Sequence, residues 1–296
     1  MDAKTIFYRL VYLLGTQIED QGMSILCYHS IDDSGSRISL SAERFAAHMR
    51  LLHELGYRTI HISDVLTHLL HGIPFTQKVV AITFDDGFEN LYNCAMPLMQ
   101  RYGYTGTVFV IGEMVGKTTR WRDAKGWLPQ QPLMNWRQIR ELHSLGFEVG
   151  AHSLSHRYLT ALDDLQLCDE VKGAKLFLED ELAVEVAIFA YPYGDYDERV
   201  IDELIRAGYK GACATIPTRL RMTDCLFVLP RLFIARDTSP AILRALLSPG
   251  AAVGFRVLSA LRRRPPGGKP WYVPDPARTD STGTVAPIPS MVERLT

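Results

Sequence analysis

Lys78-Val79-Val80-Ala81-Ile82-Thr83-Phe84-Asp85-Asp86-Gly87 is the stretch on which the fold turns. Its first part is a continuous apolar run, which predicts a strand buried on both faces, as in a parallel sheet covered by helices. Two carboxylates then follow at once. Acids at the end of a buried strand are costly unless paired or bound to a cation. Neighbouring side chains on extended backbone point to opposite sides, so Asp85 and Asp86 can serve different partners. A capping acid followed by an Asp-Gly turn is the alternative, and the stretch alone does not choose between them.

On either side, apolar runs alternate with helical patterns. Strands are predicted at 23–29, 57–61, 78–84, 105–111, 147–151, 186–191, 211–214 and 227–234. Helices are predicted at 42–55, ended by Gly56, at 63–70 with Ser63 or Asp64 as cap, and at 90–102. Others follow at 135–145, at 160–182 as one long helix, at 197–207, and at 239–247 capped by Ser239. This alternation predicts an α/β chain, a distorted or incomplete (β/α) barrel of about seven units with parallel strands. An open doubly wound sheet is the alternative. In both, active residues belong at the C-terminal ends of the strands.

The 296 residues carry a formal net charge of -1, which excludes a basic nucleic-acid footprint but leaves sugars, small molecules or a protein partner open. Five cysteines are scattered with no C-x-x-C pair, which argues for free thiols rather than a disulfide framework. Three parts are expected: an N-terminal helical segment at 1–22, a single folded domain at 23–250, and a Pro- and Arg-rich tail at 251–296 that cannot build a core. The N-terminal apolar stretch is short and broken by Arg9, so neither a secretory signal nor a spanning helix is expected. The expected location is the cytoplasm or the periphery of the cytoplasmic membrane, with membrane contact through the N-terminal segment or the three arginines 262–264 left open. The oligomeric state is not legible.

Two further clusters fall at predicted strand ends. His152-Ser153-Leu154-Ser155-His156 holds two histidines at i and i+4, which on one helical face could share a metal. As a lone pair they read equally well as loop histidines. Phe189-Ala190-Tyr191-Pro192-Tyr193-Gly194 sets aromatics around a proline, where rings could wall a sugar site or simply end a strand in the core. The combination is stronger than its parts. One Asp and two His make a three-ligand site with an open position, as catalytic metal sites need, and leave the second Asp free as a base.

With those residues together, the chain resembles the NodB-homology polysaccharide deacetylases, the fourth carbohydrate esterase family, over about residues 23–235. Thr83 to Gly87 matches the T-F-D-D-G motif, and His152 to His156 matches H-[ST]-x-x-H. Ala190-Tyr191-Pro192-Tyr193 falls where the family has R-x-P-[YF]. The resemblance implies metal-dependent hydrolysis of the acetamido group of an N-acetylated sugar, in a polysaccharide, oligosaccharide or glycolipid, with release of acetate. It implies Asp85 as general base and Asp86, His152 and His156 as ligands of one divalent ion, zinc first, with cobalt or nickel as alternatives. The Tyr193 amide would help hold the oxyanion, Tyr191 and Tyr193 would line the substrate site, and Ser153 would support the histidine loop.

Two departures matter. Ala190 stands where the family carries an arginine that orients the base, so Arg231 is the candidate replacement. No histidine follows His156 to serve as general acid. Leu26-Cys27-Tyr28-His29 ends the first strand and resembles the rearranged subgroup that includes poly-N-acetylglucosamine deacetylases, in which an early Tyr-His supplies the acid; His29 is that candidate. The competing readings are a metal-dependent amidase or deformylase on a non-polymeric or lipid-linked substrate, and a glycan-binding protein with a dead site.

Overall fold

The computed structural model describes residues 22–249, apart from 76, 120–121, 124–125 and 128. The 251–296 tail and, except for Gly22, the N-terminal 1–22 segment lie outside the described residues.

The apolar run quoted above forms the central strand. We label the strands of the main sheet β1 (Ser24–Tyr28), β2 (Arg58–Ile60), β3 (Val79–Phe84), β4 (Thr107–Val110), β5 (Glu148–Ala151), β6 (Ile188–Ala190), β7 (Gly211–Cys213) and β8 (Leu232–Phe233). One edge of β3 pairs with β1, from Ser24 opposite Val80 to Tyr28 opposite Phe84. The other edge is shared, its first half pairing with β2 and its second half with β4. From β4 the sheet continues through β5 and β6 to β7, while β8 pairs with β1, and every pairing is parallel.

The sheet curls until its ends nearly meet. The segment ahead of β8 hangs on β7 through Leu229 N–H to the Ala212 carbonyl at 2.9 Å and Ala214 N–H to the Leu229 carbonyl at 2.8 Å. Beyond Pro230 the chain crosses to β1, where Ile234 N–H reaches the Cys27 carbonyl at 2.9 Å. The result is a distorted (β/α) barrel closed by one segment that switches partners. The strand expected over 227–234 is accordingly reduced to β8, because Pro230 has no N–H to continue a ladder.

Helix α1 (Ala42–Glu54) is capped by the Ser41 side chain and buries Phe45, Met49 and Leu52 on the sheet. Helix α2 (Ile62–Leu70) does something different: it forms the floor of the barrel. Its Ile62 N–H donates to Thr107 Oγ1 and Glu148 Oε2, at the first residues of β4 and β5. Its Leu66 packs so closely on Gly211, the first residue of β7, that a Cβ there would lie 2.5 Å from a Leu66 methyl. The cap expected at Ser63 or Asp64 moves to His61, with Asp64 one turn inside accepting the His61 N–H at 2.9 Å.

The remaining helices, α3 (Trp136–Ser144), α4 (Ala174–Leu182), α5 (Glu198–Arg206) and α6 (Pro240–Leu246), cover the outside. Two predicted helices are altered by π turns. The stretch expected to be helical over 90–102 is a π turn, Leu91–Ala95, followed by a short helix, Met96–Gln100. Pro97 lacks the N–H that an α-turn would need, and the wider turn absorbs the loss. The long helix expected over 160–182 starts later, at Asp164–Cys168, because Asp163 takes the N-cap; it then widens into a π turn at Asp169–Gly173 before α4. Among the described residues no helix is long and apolar enough to cross a membrane.

Candidate active site

At the C-terminal end of the barrel, three strand ends, those of β1, β3 and β5, and the closing segment bring together His29, Asp85, Asp86, His152, His156 and Arg231. The backbone turns sharply to do so. Asp86, Ser153, His156 and Tyr193 all have positive φ, between 59° and 71°. The two histidines therefore do not share a helical face as expected. His152 extends β5, its N–H on the Val110 carbonyl at 2.8 Å, and His156 returns through a loop held by its own N–H on Ser153 Oγ at 2.9 Å.

His152 Nδ1 faces the Ala190 carbonyl at 2.8 Å. A carbonyl only accepts, so Nδ1 carries the proton and, in the neutral ring, Nε2 presents a lone pair. That Nε2 lies 3.4 Å from Asp86 Oδ1, and His156 Nε2 lies 3.3 Å from the same oxygen. His156 Nδ1 meets the Tyr193 hydroxyl at 3.1 Å. All three donor residues are buried. Both separations are longer than a charge-assisted hydrogen bond, about 2.7–2.9 Å. They match the edge of a tetrahedron whose corners stand about 2.0–2.1 Å from a zinc ion, an edge of roughly 3.3–3.4 Å. Imidazole lone pairs aimed at a carboxylate oxygen also call for a cation between them. On both counts the residues fit a divalent ion. Burial alone would raise the Asp86 carboxyl; imidazoles at His152 and His156 that are protonated and donate to it outweigh burial and hold it below the ordinary carboxylate range.

Asp85 points the other way, as adjacent residues on a strand end should. Arg231 clamps it with both arms of its guanidinium, Nη1 to Oδ1 at 2.6 Å and Nη2 to Oδ2 at 2.7 Å. Arg231 itself is 0% exposed, donates to Thr83 Oγ1 and the Ala214 carbonyl, and lies over the Phe109 ring. Burial pushes Asp85 upward, but Arg231, then His152 and His29, outweigh it and keep the carboxyl below its usual range. His29 Nε2 stands 3.9 Å from Asp85 Oδ2, with its ring against Phe233. It is partly open to solvent.

Tyr193 sits in the 3-10 turn Pro192–Gly194 beside His156. Tyr191 does not line the cleft as the sequence led us to expect. It is 1% exposed, stacks on Tyr196, and donates its hydroxyl to the Phe227 carbonyl at 2.8 Å. Alternation along β6 is the reason. Phe189 and Tyr191 fall on the helix-facing side and Ala190 on the inner side, so Tyr191 belongs to the core under the helices.

Three contributors were not anticipated. Cys27 donates its thiol to Asp85 Oδ2 at 3.4 Å, and burial pushes that thiol well up. Cys27, His29 and Asp85 could in principle hold a second ion, but Arg231 already occupies both Asp85 oxygens. Glu170, on the π turn, takes the Leu154 and Ser155 amides at 3.1 and 2.9 Å as well as the Ser155 hydroxyl, pinning the histidine loop from behind. Tyr158 stacks flat on Tyr193. Spacing in the sequence carried no signal for Cys27 or Glu170; Tyr158, two residues past the H-[ST]-x-x-H motif, could have been noticed.

Residues 72–212 match the Polysaccharide deacetylase family. YxkH of Bacillus subtilis (strain 168) is 28% identical over 217 residues, covering 73% of this chain and 73% of that protein. The poly-β-1,6-N-acetyl-D-glucosamine N-deacetylase of Escherichia coli (strain K12) is 25% identical over 258 residues, which cover 74% of this chain and 37% of that protein's length. In fold, the chain resembles the Streptococcus pyogenes deacetylase PplD in complex with acetate, with a TM-score of 0.69 at 23% identity, covering 77% of this chain and 99% of PplD. A match spanning the Asp-Asp-Gly and His-loop motifs, on a curled parallel sheet that gathers both at one end, identifies residues 72–212 as a NodB-type polysaccharide deacetylase domain.

Proposed function

We propose that this chain is a metal-dependent carbohydrate N-deacetylase, hydrolysing the acetamido group of an N-acetylated glycan, with residues 23–250 as the catalytic domain. The observation that carries the reading is the pairing of two carboxylates with separate partners. Asp86 meets His152 and His156 at 3.3–3.4 Å, while Asp85 is held by Arg231 at 2.6–2.7 Å. A site that only binds a glycan has no use for a fixed, ionised carboxylate beside a three-ligand cation site.

Asp86, His152 and His156 would hold the ion, zinc in the first instance, and the ion's contribution is to polarise the acetyl carbonyl and acidify water. Asp85 takes the proton from the attacking water; ionised and fixed at both oxygens, it is ready to accept one. Arg231 positions Asp85 in the role that an arginine at residue 190 would otherwise fill. The Tyr193 amide stabilises the charge that builds on the carbonyl oxygen as the carbon becomes tetrahedral. His29 gives a proton to the departing amine nitrogen, which is too basic to leave as an anion.

Acetate release from N-acetylglucosamine oligomers tests the proposal. Activity should disappear with a chelator and return with zinc, cobalt or nickel. Full activity after verified metal removal would sink the metal assignment, and release of formate from formylated amines in place of acetate would move the reading to a deformylase.

A further inference from the structure

One aromatic ring at the mouth of the site stands in water. Tyr158, two residues beyond His156, is 54% exposed. Its ring lies flat on Tyr193, with centroids 4.0 Å apart and planes within 12°. Tyr193 in turn touches the metal-ligand loop, its hydroxyl 3.1 Å from His156 Nδ1 and its ring 4.5 Å from the imidazole. The two rings make one continuous surface that begins at the metal site and ends in solvent.

That surface is fixed on both sides. Leu159, next to Tyr158, is fully buried. Thr160 donates its N–H to Asp195 Oδ2 at 2.9 Å and its hydroxyl to the same carboxylate, tying the chain after Tyr158 to the turn that carries Tyr193. Leaving more than half of a large ring in water forfeits burial energy. Holding that ring in one orientation removes most of the ordering cost of stacking something on it.

We infer that Tyr158 is the platform of a second sugar subsite, its outward face stacking on the pyranose next to the one whose acetamido group enters the metal site. The inference rests on the N-deacetylase reading and sharpens it: the substrate is an oligosaccharide or polymer rather than a free amino sugar. A pyranose with equatorial substituents directs its hydroxyls outward and leaves its ring C–H groups as a flat apolar face. A tyrosine ring offers a matching flat face with a negative quadrupole for those C–H groups. Tyr193 cannot be the outer platform, because Tyr158 covers one of its faces, and Tyr191 is buried. Among the described residues the other exposed large apolar side chains are aliphatic, such as Leu70, Leu165 and Leu176, apart from Phe177, which is 38% exposed and packs edge-on against Trp136.

The test uses the full chain loaded with zinc. Binding of a β-linked N-acetylglucosamine pentamer is measured in an Asp85→Asn background to block turnover, and acetate release is measured with Asp85 intact. Tyr158→Ala should weaken pentamer binding by about 2- to 13-fold, the range of an aromatic stacking contact, and raise KM with little change in kcat. The ratio of kcat/KM on pentamer to that on monomer should fall by the same factor. Tyr158→Phe, which keeps the ring, should rescue both. Equal pentamer binding with and without the ring, equal losses on pentamer and monomer, or no rescue by phenylalanine would each overturn the subsite. Failure of the underlying reading is separate: it shows as no acetate from any N-acetyl sugar with the unaltered protein. In that case the binding comparison still decides the platform, and absence of measurable pentamer binding to the unaltered protein overturns it.

Discussion

Replacing Arg231 by methionine removes the charge and keeps much of the volume. The Asp85 carboxylate, 3% exposed, is then left without its cation, beside a thiol and a barrel wall of Phe109 and Thr83. Breaking a buried pair from one side costs about 3–5 kcal/mol, because the remaining charge is stranded in a medium that cannot solvate it. The full figure is expected here, since Arg231 is 0% exposed and both arms of its fork are engaged. Urea denaturation of the metal-free protein reads the loss. The double variant Arg231→Met/Asp85→Asn removes both charges and should recover most of it, so the two single losses do not add. Activity should follow another course: Arg231→Met and the double variant should both be inactive, one with a misplaced base and one without a base. Arg231→Lys keeps the charge but not the two-point grip; it should retain more stability than Arg231→Met while still losing acetate release. Strictly additive single losses, or a loss below about 1 kcal/mol for Arg231→Met, the range of a solvated surface pair, would refute the argument that this pair is dry and coupled.

Three other expectations follow from the same geometry. Glu170→Ala frees the Leu154 and Ser155 amides, so zinc affinity measured by competition with a fluorescent chelator should fall by about 10-fold or more; unchanged affinity would show that the loop holds its shape without the clamp. His29→Ala should reduce acetate release from N-acetyl sugars by about 10²–10⁴-fold at unchanged metal content. It should cost far less on an activated acetate ester, whose leaving group needs no proton, and equal losses on both substrates would remove His29 from the acid role. His48 is wedged between the Tyr28 hydroxyl and the Thr238 carbonyl, and burial lowers its pKa from 6.5 to about 4. A histidine kept neutral by the fold contributes stability that is complete above pH 6.5 and is lost as pH falls toward 4, at about 1.4 kcal/mol per pH unit and roughly 3 kcal/mol in all. His48→Gln should flatten the urea stability profile across that window relative to the unaltered protein, and an identical slope would exclude the assignment.

The parts of this molecule that were legible in the sequence are those set by strand physics. The continuous apolar run 78–84 gives β3, and residues directly after a buried strand emerge at its C-terminal end, so Asp85, Asp86 and His152 were found by position. What a side chain meets beyond its own strand was harder to read. Tyr191 was misplaced although the period-2 alternation from Phe189 pointed it into the core; its place beside a proline weighed more than it should have. Glu170 was invisible because its role depends on a π turn, which shifts the helical register by one residue and leaves no mark in a hydrophobic pattern. Arg231 follows only from the family resemblance, which puts an arginine where this chain has Ala190; no hydrophobic pattern in the sequence points to it.

The histidine loop was predicted in the wrong conformation for a reason that bears on function. Of the five non-glycine residues with positive φ among the described residues, Asp86, Ser153, His156 and Tyr193 are at this site, and only Ala183, at the end of α4, is elsewhere. Left-handed backbone at a side-chain-bearing residue costs on the order of 1–3 kcal/mol, so four such residues set roughly 4–12 kcal/mol against a net stability that for a whole domain is about 5–15 kcal/mol. Local propensity cannot predict such a loop, because the loop forms in opposition to it. Bonds supplied from outside hold it: the Val110 carbonyl on the His152 amide, the Ala190 carbonyl on the His152 ring, and Glu170 on the loop tip. Each comes from an element already fixed by the barrel or its helices. The strain therefore falls where two imidazoles must converge on one carboxylate oxygen, and the rigid strands around it hold that convergence in place.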